Sequence, residues 1–200
     1  MSLFADPVRG DTERLLSLGW YLAQRSQQDT TGMLRYVREG GDSGYQASEL
    51  KDLAATSRHT RVIDALNRGR VWALKKLTDE LDSLLAPDIT IVVVPGHTPF
   101  GDEPPLRALG RAIAERQGRI DGTDVLTRNT PIRRIAYGGS SYRQLHRTTI
   151  TVAHIELIAG QRVLLLDDIV RSGASLRACR ELLLEQGPAE VQALGLGRLK

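Results

Sequence analysis

The sequence has few of the residues that mark disulfide, zinc and membrane proteins. Its 200 residues include one cysteine, Cys179, so an intrachain disulfide and a cysteine zinc site are excluded. The four histidines are scattered without metal-ligand spacing. No apolar run approaches the ~20 residues of a membrane span, and the N-terminus shows no secretory signal pattern. We therefore expect a cytoplasmic protein in a reducing compartment, without membrane contact.

Charge of one sign is not in large excess either. The chain carries 27 lysines and arginines against 24 acidic residues, a net charge of +3. Its hydrophobic share of 41% and charged share of 26% are those of an ordinary globular protein. The length fits one domain, or one domain with a small appendage. This balance favours anionic small molecules over a nucleic-acid surface; nucleic acid is not required but is not excluded.

The most informative stretch is residues 163–175, which read VLLLDDIVRSGAS. An unbroken aliphatic run predicts a central parallel strand buried on both faces, ending at Asp167 and Asp168. A short turn and the start of a helix follow, where free N–H groups and hydroxyls can bind an oxyanion. Carboxylates suit sugar hydroxyls or a metal. The stretch predicts a phosphorylated-sugar site with Mg²⁺, in which the phosphate turn consists of Arg171, Ser172, Gly173, Ala174 and Ser175.

Three other kinds of protein also place acids after an apolar strand. A nucleotide-hydrolysing enzyme needs a Gly-Lys phosphate loop, and the sequence contains no Gly-Lys pair. A haloacid-dehalogenase-like nucleophile needs acids two positions apart, whereas Asp167 and Asp168 are adjacent. A receiver domain places its acidic pair near the start of the chain. The remaining alternative is a buried strand with two solvated acids at its tip.

The periodicity elsewhere predicts an α/β fold, a doubly wound parallel sheet of about five strands. Strands are expected at 89–94, 123–126, 162–167 and 191–196, and helices at 61–85, 104–117 and from 176 onwards. Residues 1–60 are expected to form a mostly helical N-terminal extension or hood, with helices at 11–27 and 48–55 and a short strand at 33–37. Residues 61–200 would form the core.

A second loop is expected beside the acids. It follows the strand at 89–94, and the carboxyl ends of parallel strands meet at one edge of the sheet, where ligands bind. Its candidate binding residues are Gly96, His97 and Thr98. The alternative is a plain turn.

Residues 128–155 are rich in arginine around a glycine-serine stretch at 138–141. Small residues allow a mobile tip, and flanking cations can close over a charged ligand. We call this region the flap; its candidate residues are Arg128, Arg143, His146 and Arg147. The alternative is a surface hairpin whose arginines only solubilise it.

Residues 163–175 resemble the phosphoribosyl-diphosphate signature of the type I phosphoribosyltransferases: four apolar residues, two acids, two apolar residues and a Thr/Ser-Gly-x-Thr/Ser turn. Arg128 and Arg143 also resemble two arginines of the competence-protein-F-like (amidophosphoribosyltransferase-like) branch of that family. In that branch asparagine is usual where His146 stands, and an N-terminal cysteine zinc module, absent here, precedes the domain.

The resemblance implies a pentosyltransferase of nucleotide metabolism that moves the phosphoribosyl group from 5-phosphoribosyl 1-diphosphate to a nitrogen nucleophile the sequence does not identify. Asp167 and Asp168 would bind ribose and, directly or indirectly, Mg²⁺; residues 171–175 would hold the 5′-phosphate and residues 96–98 the diphosphate. A homodimer is expected. In the hypoxanthine-guanine-type members of that family, the position of Arg171 carries an acid that serves as the base near the purine. An arginine cannot serve as a base, so the resemblance counts against 6-oxopurine acceptors and favours an anionic acceptor or one that needs no base there. The alternative is that Arg171 points to solvent. The alternative function is a non-enzymatic phosphoribosyl-diphosphate sensor or a competence/DNA-handling accessory protein.

Overall fold

The computed structural model describes residues 15–23, 46–99, 103–132 and 140–199, with 27, 28, 30, 31, 33 and 34. The elements, in chain order, are β1 (Leu16–Ser17), β2 (Trp20–Tyr21), α1 (Ala47–Asn67), α2 (Val71–Leu84), β3 (Thr90–Val93), α3 (Pro105–Ala114), β4 (Ile120–Asp121), β5 (Leu126–Arg128), α4 (Ser140–Thr149), β6 (Ile150–Val152), β7 (Arg162–Val170), α5 (Ala174–Leu184) and β8 (Glu190–Leu199). Within these ranges, no helix is both long and apolar enough to cross a membrane.

Among the described residues, six strands form one parallel sheet. Its order is β1–β8–β7–β3–β4, and β2 also pairs with β8. The two central strands, β3 and β7, are aligned from Thr90 opposite Val163 to Val93 opposite Leu166. Their carboxyl ends therefore lie side by side. The predicted α/β fold with a parallel sheet and flanking helices is confirmed.

Each face of the sheet is covered by helices. Leu164 and Leu166 point to one face, where they belong to a core with residues of α1, α2 and α3. Val163 and Leu165 point to the other, where Leu176 and the only cysteine pack from α5. The two acids that follow lie toward opposite faces: Asp167 acts on the thiol of the cysteine on α5, and Asp168 accepts from Asn67 of α1.

The strand predicted at 123–126 is wrong as a strand of the parallel sheet: of these residues only Leu126 is in a strand, β5. The edge of the parallel sheet is β4, Ile120–Asp121, and β5 pairs antiparallel with β6 in a separate two-stranded sheet. The Asp121 carboxylate accepts hydrogen bonds from the backbone N–H of Thr123 at 2.9 Å and from its hydroxyl at 2.7 Å. This local side-chain turn ends the edge strand before the predicted one could begin.

The helix predicted at 61–85 is also wrong as a single element. Gly69 adopts φ +68°, a left-handed conformation that ends α1 before α2 begins at Val71. The short helix predicted at 48–55 continues without a break through position 60 to Asn67. The predicted boundary between extension and core therefore lies inside α1.

The helix predicted at 11–27 is wrong over its described middle part. Leu16 pairs with Leu194 and Trp20 with Arg198, so β1 and β2 extend the sheet beyond β8. Hydrogen bonding to that strand edge outweighs the local helical pattern. The strand predicted at 33–37 is wrong at Met33 and Leu34, which are helical; residues 11–14, 24–26 and 35–37 lie outside the described residues. The described part of the extension thus contributes strands to the sheet as well as helix.

Candidate functional site

The two acids lie within β7, because this strand continues to Val170 and not only to the predicted position 167. Asp167 aligns with Gly195 of β8. The Asp167 carboxylate accepts the N–H of Asp168 at 2.9 Å, and the Asp168 carboxylate accepts the N–H of Ile169 at 2.7 Å. These bonds to the backbone orient both carboxylates at the carboxyl end of the central strand.

The surroundings of Asp167 disfavour the charged form of its carboxyl group. Burial, and then the charge of neighbouring Asp168, raises its pKa well above the usual range for aspartate. The only cysteine, on α5, is close enough that the Asp167 charge helps raise the pKa of its thiol, after burial. A partly buried carboxyl in this state binds either a proton or a cation.

Asp168 faces the α1 side of the sheet, where sequence reasoning had identified no partner. The Asn67 side-chain amide donates to its carboxylate at 3.0 Å. One turn earlier on the same helix, the Asp64 carboxylate accepts a hydrogen bond from the Tyr21 hydroxyl, with an oxygen–oxygen distance of 2.6 Å. Burial and then that contact with Asp64 raise the pKa of Tyr21 to about 12. No sequence signal marks Asn67, which is the last residue of α1.

The predicted phosphate turn joins β7 to α5. Gly173 has φ +74° and ψ +10°, and α5 begins at Ala174. The Ser172 hydroxyl accepts the N–H of Ala174 at 3.4 Å, while the Arg177 guanidinium donates to the Ser172 carbonyl. Leu15, before β1, lies directly against Gly173. The turn thus presents the start of an eleven-residue helix, whose free N–H groups attract anions, next to the two acids.

The second loop, residues 96–98, lies beside this turn on the same edge of the sheet. It follows β3, and the N–H of Val94 donates to the carbonyl of Leu166, the residue before the acids, at 2.8 Å. Gly96 and Thr98 are exposed and His97 is partly buried. The His97 carbonyl accepts the N–H of Ile132 at 2.9 Å. The sequence had placed this loop and the acids side by side, and the structure does so.

A buried chain of side chains connects the two loops. The Arg128 guanidinium donates to the carbonyl of Gly96, to the Thr149 hydroxyl at 2.6 Å and to Nδ1 of His146 at 3.2 Å. Nε2 of His146 lies 3.2 Å from the hydroxyl of Ser175, in the first turn of α5. Arg128 is 6% exposed and His146 is 1% exposed. Burial, followed by the charge of Arg128, lowers the pKa of His146 to about 4.

The other two candidate flap residues do not reach the phosphate turn. Arg147 pairs with Glu181 at 3.1 Å and with Glu185 at 2.6 Å, and Arg143 pairs with Glu181 at 3.3 Å. These ion pairs attach α4 to the outer side of α5. The Gly138 and Gly139 positions of the predicted tip lie outside the described residues, and Ser140 and Ser141 belong to helix α4.

The described residues do not form a complete metal cage: no group of three or more histidine, cysteine, aspartate or glutamate side chains is arranged to hold an ion. The donor chemistry nevertheless fits Mg²⁺, which binds through one or two carboxylates, water and substrate phosphates. Asp167 fits best, because a cation would offset the burial that raises its pKa.

Comparison with known proteins identifies one matching family. The family model of the phosphoribosyl transferase domain matches residues 128–195, about a third of the chain, from Arg128 through both acids and the phosphate turn. A solved structure of the allosteric regulatory enzyme of purine biosynthesis is similar, with 19% identity and a TM-score of 0.40 over 61% of this chain. The match spans about a quarter, 24%, of that protein's length. No curated protein matches the sequence.

Proposed function

We propose that this chain binds 5-phosphoribosyl 1-diphosphate with Mg²⁺ and transfers its phosphoribosyl group to a nitrogen nucleophile. The observation that carries this proposal is the placement of Asp167 and Asp168 in the last part of β7, the strand that leads into the Gly173 turn and the start of α5. A helix start that attracts anions, adjacent to two carboxylates that accept from hydroxyls, complements both ends of a sugar phosphate. The phosphoribosyl transferase domain match covers this same segment.

Each part of the site would bind one part of the donor. Asp167 and Asp168 accept hydrogen bonds from the two ribose hydroxyls, and residues 171–175 donate to the 5′-phosphate. The loop at residues 96–98 follows β3, the strand that pairs with β7, and would bind the diphosphate. Loss of diphosphate leaves positive charge on the sugar, and the two carboxylates stabilise that charge through space.

Mg²⁺, held by Asp167 and Asp168 directly or through water, would neutralise the charge of the leaving diphosphate. The chain's own contribution is to keep the carboxylates oriented by their backbone hydrogen bonds. Binding of substrate and cation should also ionise Asp167, because it offsets the burial that raises the pKa of this carboxyl.

Calorimetric titration with phosphoribosyl diphosphate, with and without Mg²⁺, tests the binding, and diphosphate release in the presence of candidate nitrogen acceptors tests the transfer. Asp167→Asn and Asp168→Asn should each abolish transfer without unfolding the protein. Asp124→Asn, an exposed acid that pairs with Arg107 and Arg111, is the matched control and should retain activity. Full activity in the double Asp167/Asp168 variant would contradict the proposal.

A second candidate is a phosphoribosyl-diphosphate sensor that binds without transfer. The ion pairs of Arg143 and Arg147 with α5 favour it, because cations expected to act on the leaving group are engaged elsewhere. Tight binding with no diphosphate release for any acceptor would support the sensor.

Three finer assignments belong to the same proposal: membership of the competence-protein-F-like branch, a role in cytoplasmic nucleotide metabolism and a homodimeric state. None of them requires nucleic acid. Light scattering at several protein concentrations tests the homodimer, and a constant monomer mass would contradict it.

A further inference from the structure

His146 has no role in the transfer described above, yet it is the buried link between the two loops of the site. It lies on α4, is 1% exposed, and has one ring nitrogen 3.2 Å from Arg128 and the other 3.2 Å from the Ser175 hydroxyl. Arg128 in turn donates to the carbonyl of Gly96. For a buried imidazole between a cation and a hydroxyl, it can be decided which ring nitrogen accepts a hydrogen bond and which one donates.

The direction of each hydrogen bond follows from the donor inventory. A guanidinium can only donate, so Nδ1 of His146 must accept from Arg128. The imidazole is neutral at physiological pH, because burial and the Arg128 charge lower its pKa to about 4, and a nearby His97 opposes its protonation further. A neutral imidazole carries one N–H, which is therefore on Nε2 and is donated to Oγ of Ser175.

The consequence lies at Ser175. A serine hydroxyl has one proton and rotates to suit its partners. Since Oγ accepts from His146, its own proton is left to donate in another direction. Ser175 is the second residue of α5, where backbone N–H groups also point toward an anion.

We propose that His146 is a positioning residue that fixes the Ser175 hydroxyl as a donor to the phosphate of the bound ligand. Arg128 fixes the tautomer of His146 and connects it to the Gly96 carbonyl of the neighbouring loop. The inference rests on the proposed function, which makes the ligand a sugar 5-phosphate.

The test uses ribose 5-phosphate as the probe and calorimetry as the measurement. Ser175→Ala should weaken binding by about tenfold or more, the expected loss of a hydrogen bond to a charged group. His146→Leu should weaken it by a similar factor. The double variant should bind no more weakly than Ser175→Ala alone, because both changes remove the same interaction.

Two amide variants distinguish positioning from a structural role. His146→Gln places an amide N–H at about the reach of Nε2 and should retain most of the affinity. His146→Asn places its polar atoms at about the reach of Nδ1, so it keeps an acceptor for Arg128 but loses the donor to Ser175; it should bind as weakly as His146→Leu. Thermal unfolding of each variant shows whether it is folded, and the Gln–Asn comparison keeps the test decisive if the leucine variant is not.

The outcomes separate this inference from the function on which it rests. If the wild-type protein binds neither ribose 5-phosphate nor phosphoribosyl diphosphate, both are wrong. If it binds and Ser175→Ala weakens binding, but folded Gln, Asn and Leu variants of His146 all bind like wild type, the positioning role alone is wrong. Equal losses in the Gln and Asn variants would indicate a general packing role and would also overturn it.

Discussion

Replacing Gly173 with alanine should impair phosphate binding at a modest cost in stability. Gly173 has φ +74°, a left-handed backbone conformation that costs a residue with a Cβ about 1–2 kcal/mol. The new Cβ would also meet Cδ1 of Leu15 and lie 3.2 Å from Nη1 of Arg177. Both atoms are at the ends of flexible side chains and can move, so they add little to the backbone cost.

This cost corresponds to a small change in thermal stability. For a chain of this length, 1 kcal/mol lowers Tm by about 2–4 °C, so Gly173→Ala should lower it by about 2–8 °C. The variant should therefore be folded at room temperature. Any large functional loss measured there would come from the turn itself.

The functional loss should be larger than the stability loss suggests. If the turn relaxes away from its left-handed conformation, the first N–H groups of α5 change direction relative to the phosphate. Losing one hydrogen bond to a charged group weakens ribose 5-phosphate binding by about tenfold or more. Calorimetry measures this affinity, and thermal or urea unfolding measures the stability of the same sample.

Gly187→Ala is the matched control, because Gly187 has φ +76° beyond the other end of α5 and open space where a Cβ would be added. It should show a similar fall in Tm and unchanged ribose 5-phosphate affinity. Unchanged affinity in Gly173→Ala as well would refute the assignment of the phosphate to this turn. Unchanged stability in both variants would refute the cost assigned to the left-handed backbone.

Two further predictions concern stability. Burial, and then the charge of Asp168, raises the pKa of Asp167, so the folded protein loses stability as the pH rises from the ordinary value of 3.8 toward that raised pKa. Asp167→Asn should therefore increase Tm at pH 8 without Mg²⁺, and this gain should shrink toward pH 3.8. A lower Tm at pH 8 would contradict the reasoning. Arg119→Ala should cost about 3 kcal/mol in urea unfolding, at the low end for breaking a buried pair, because the Arg119 side chain is 0% exposed and its partner Asp82 is 22% exposed. The more exposed Arg116, which also pairs with Asp82, is the control: an equal loss in Arg116→Ala would show that burial does not determine the effect.

The central strands and the turn between β7 and α5 could be predicted because their signals are local. An unbroken apolar run such as residues 163–166 has few alternatives to a buried parallel strand. The shared edge of residues 96–98 and the two acids followed from the geometry of parallel strands alone. The sequence likewise predicts a tight turn at Gly173, where the structure has a left-handed backbone conformation.

Other features were missed because they depend on partners distant in sequence. Leu16 and Trp20 lie in a stretch whose local pattern predicts a helix, whereas in the structure both pair with the edge of β8. Arg128 reads as a mobile cation, whereas the carbonyl of Gly96 and the ring of His146 hold it in the interior. Nothing near Asn67 in the sequence indicates that it will contact an acid 101 positions later. Composition and periodicity carry no information about such contacts.

The pairing of β1 and β2 with β8 has a consequence for self-association. These two dipeptides cover β8 at Leu194–Gly195 and at Arg198–Leu199. Between the dipeptides, the N–H of Leu18 donates to the carbonyl of Gly195, and the carbonyl of Gly19 accepts from the N–H of Arg198. An uncovered strand of this kind is a template on which another chain can add a strand and aggregate. Residues 16–21 thus occupy the edge of β8 on which another chain could add a strand. Their removal would expose that edge of β8 beside the phosphate turn.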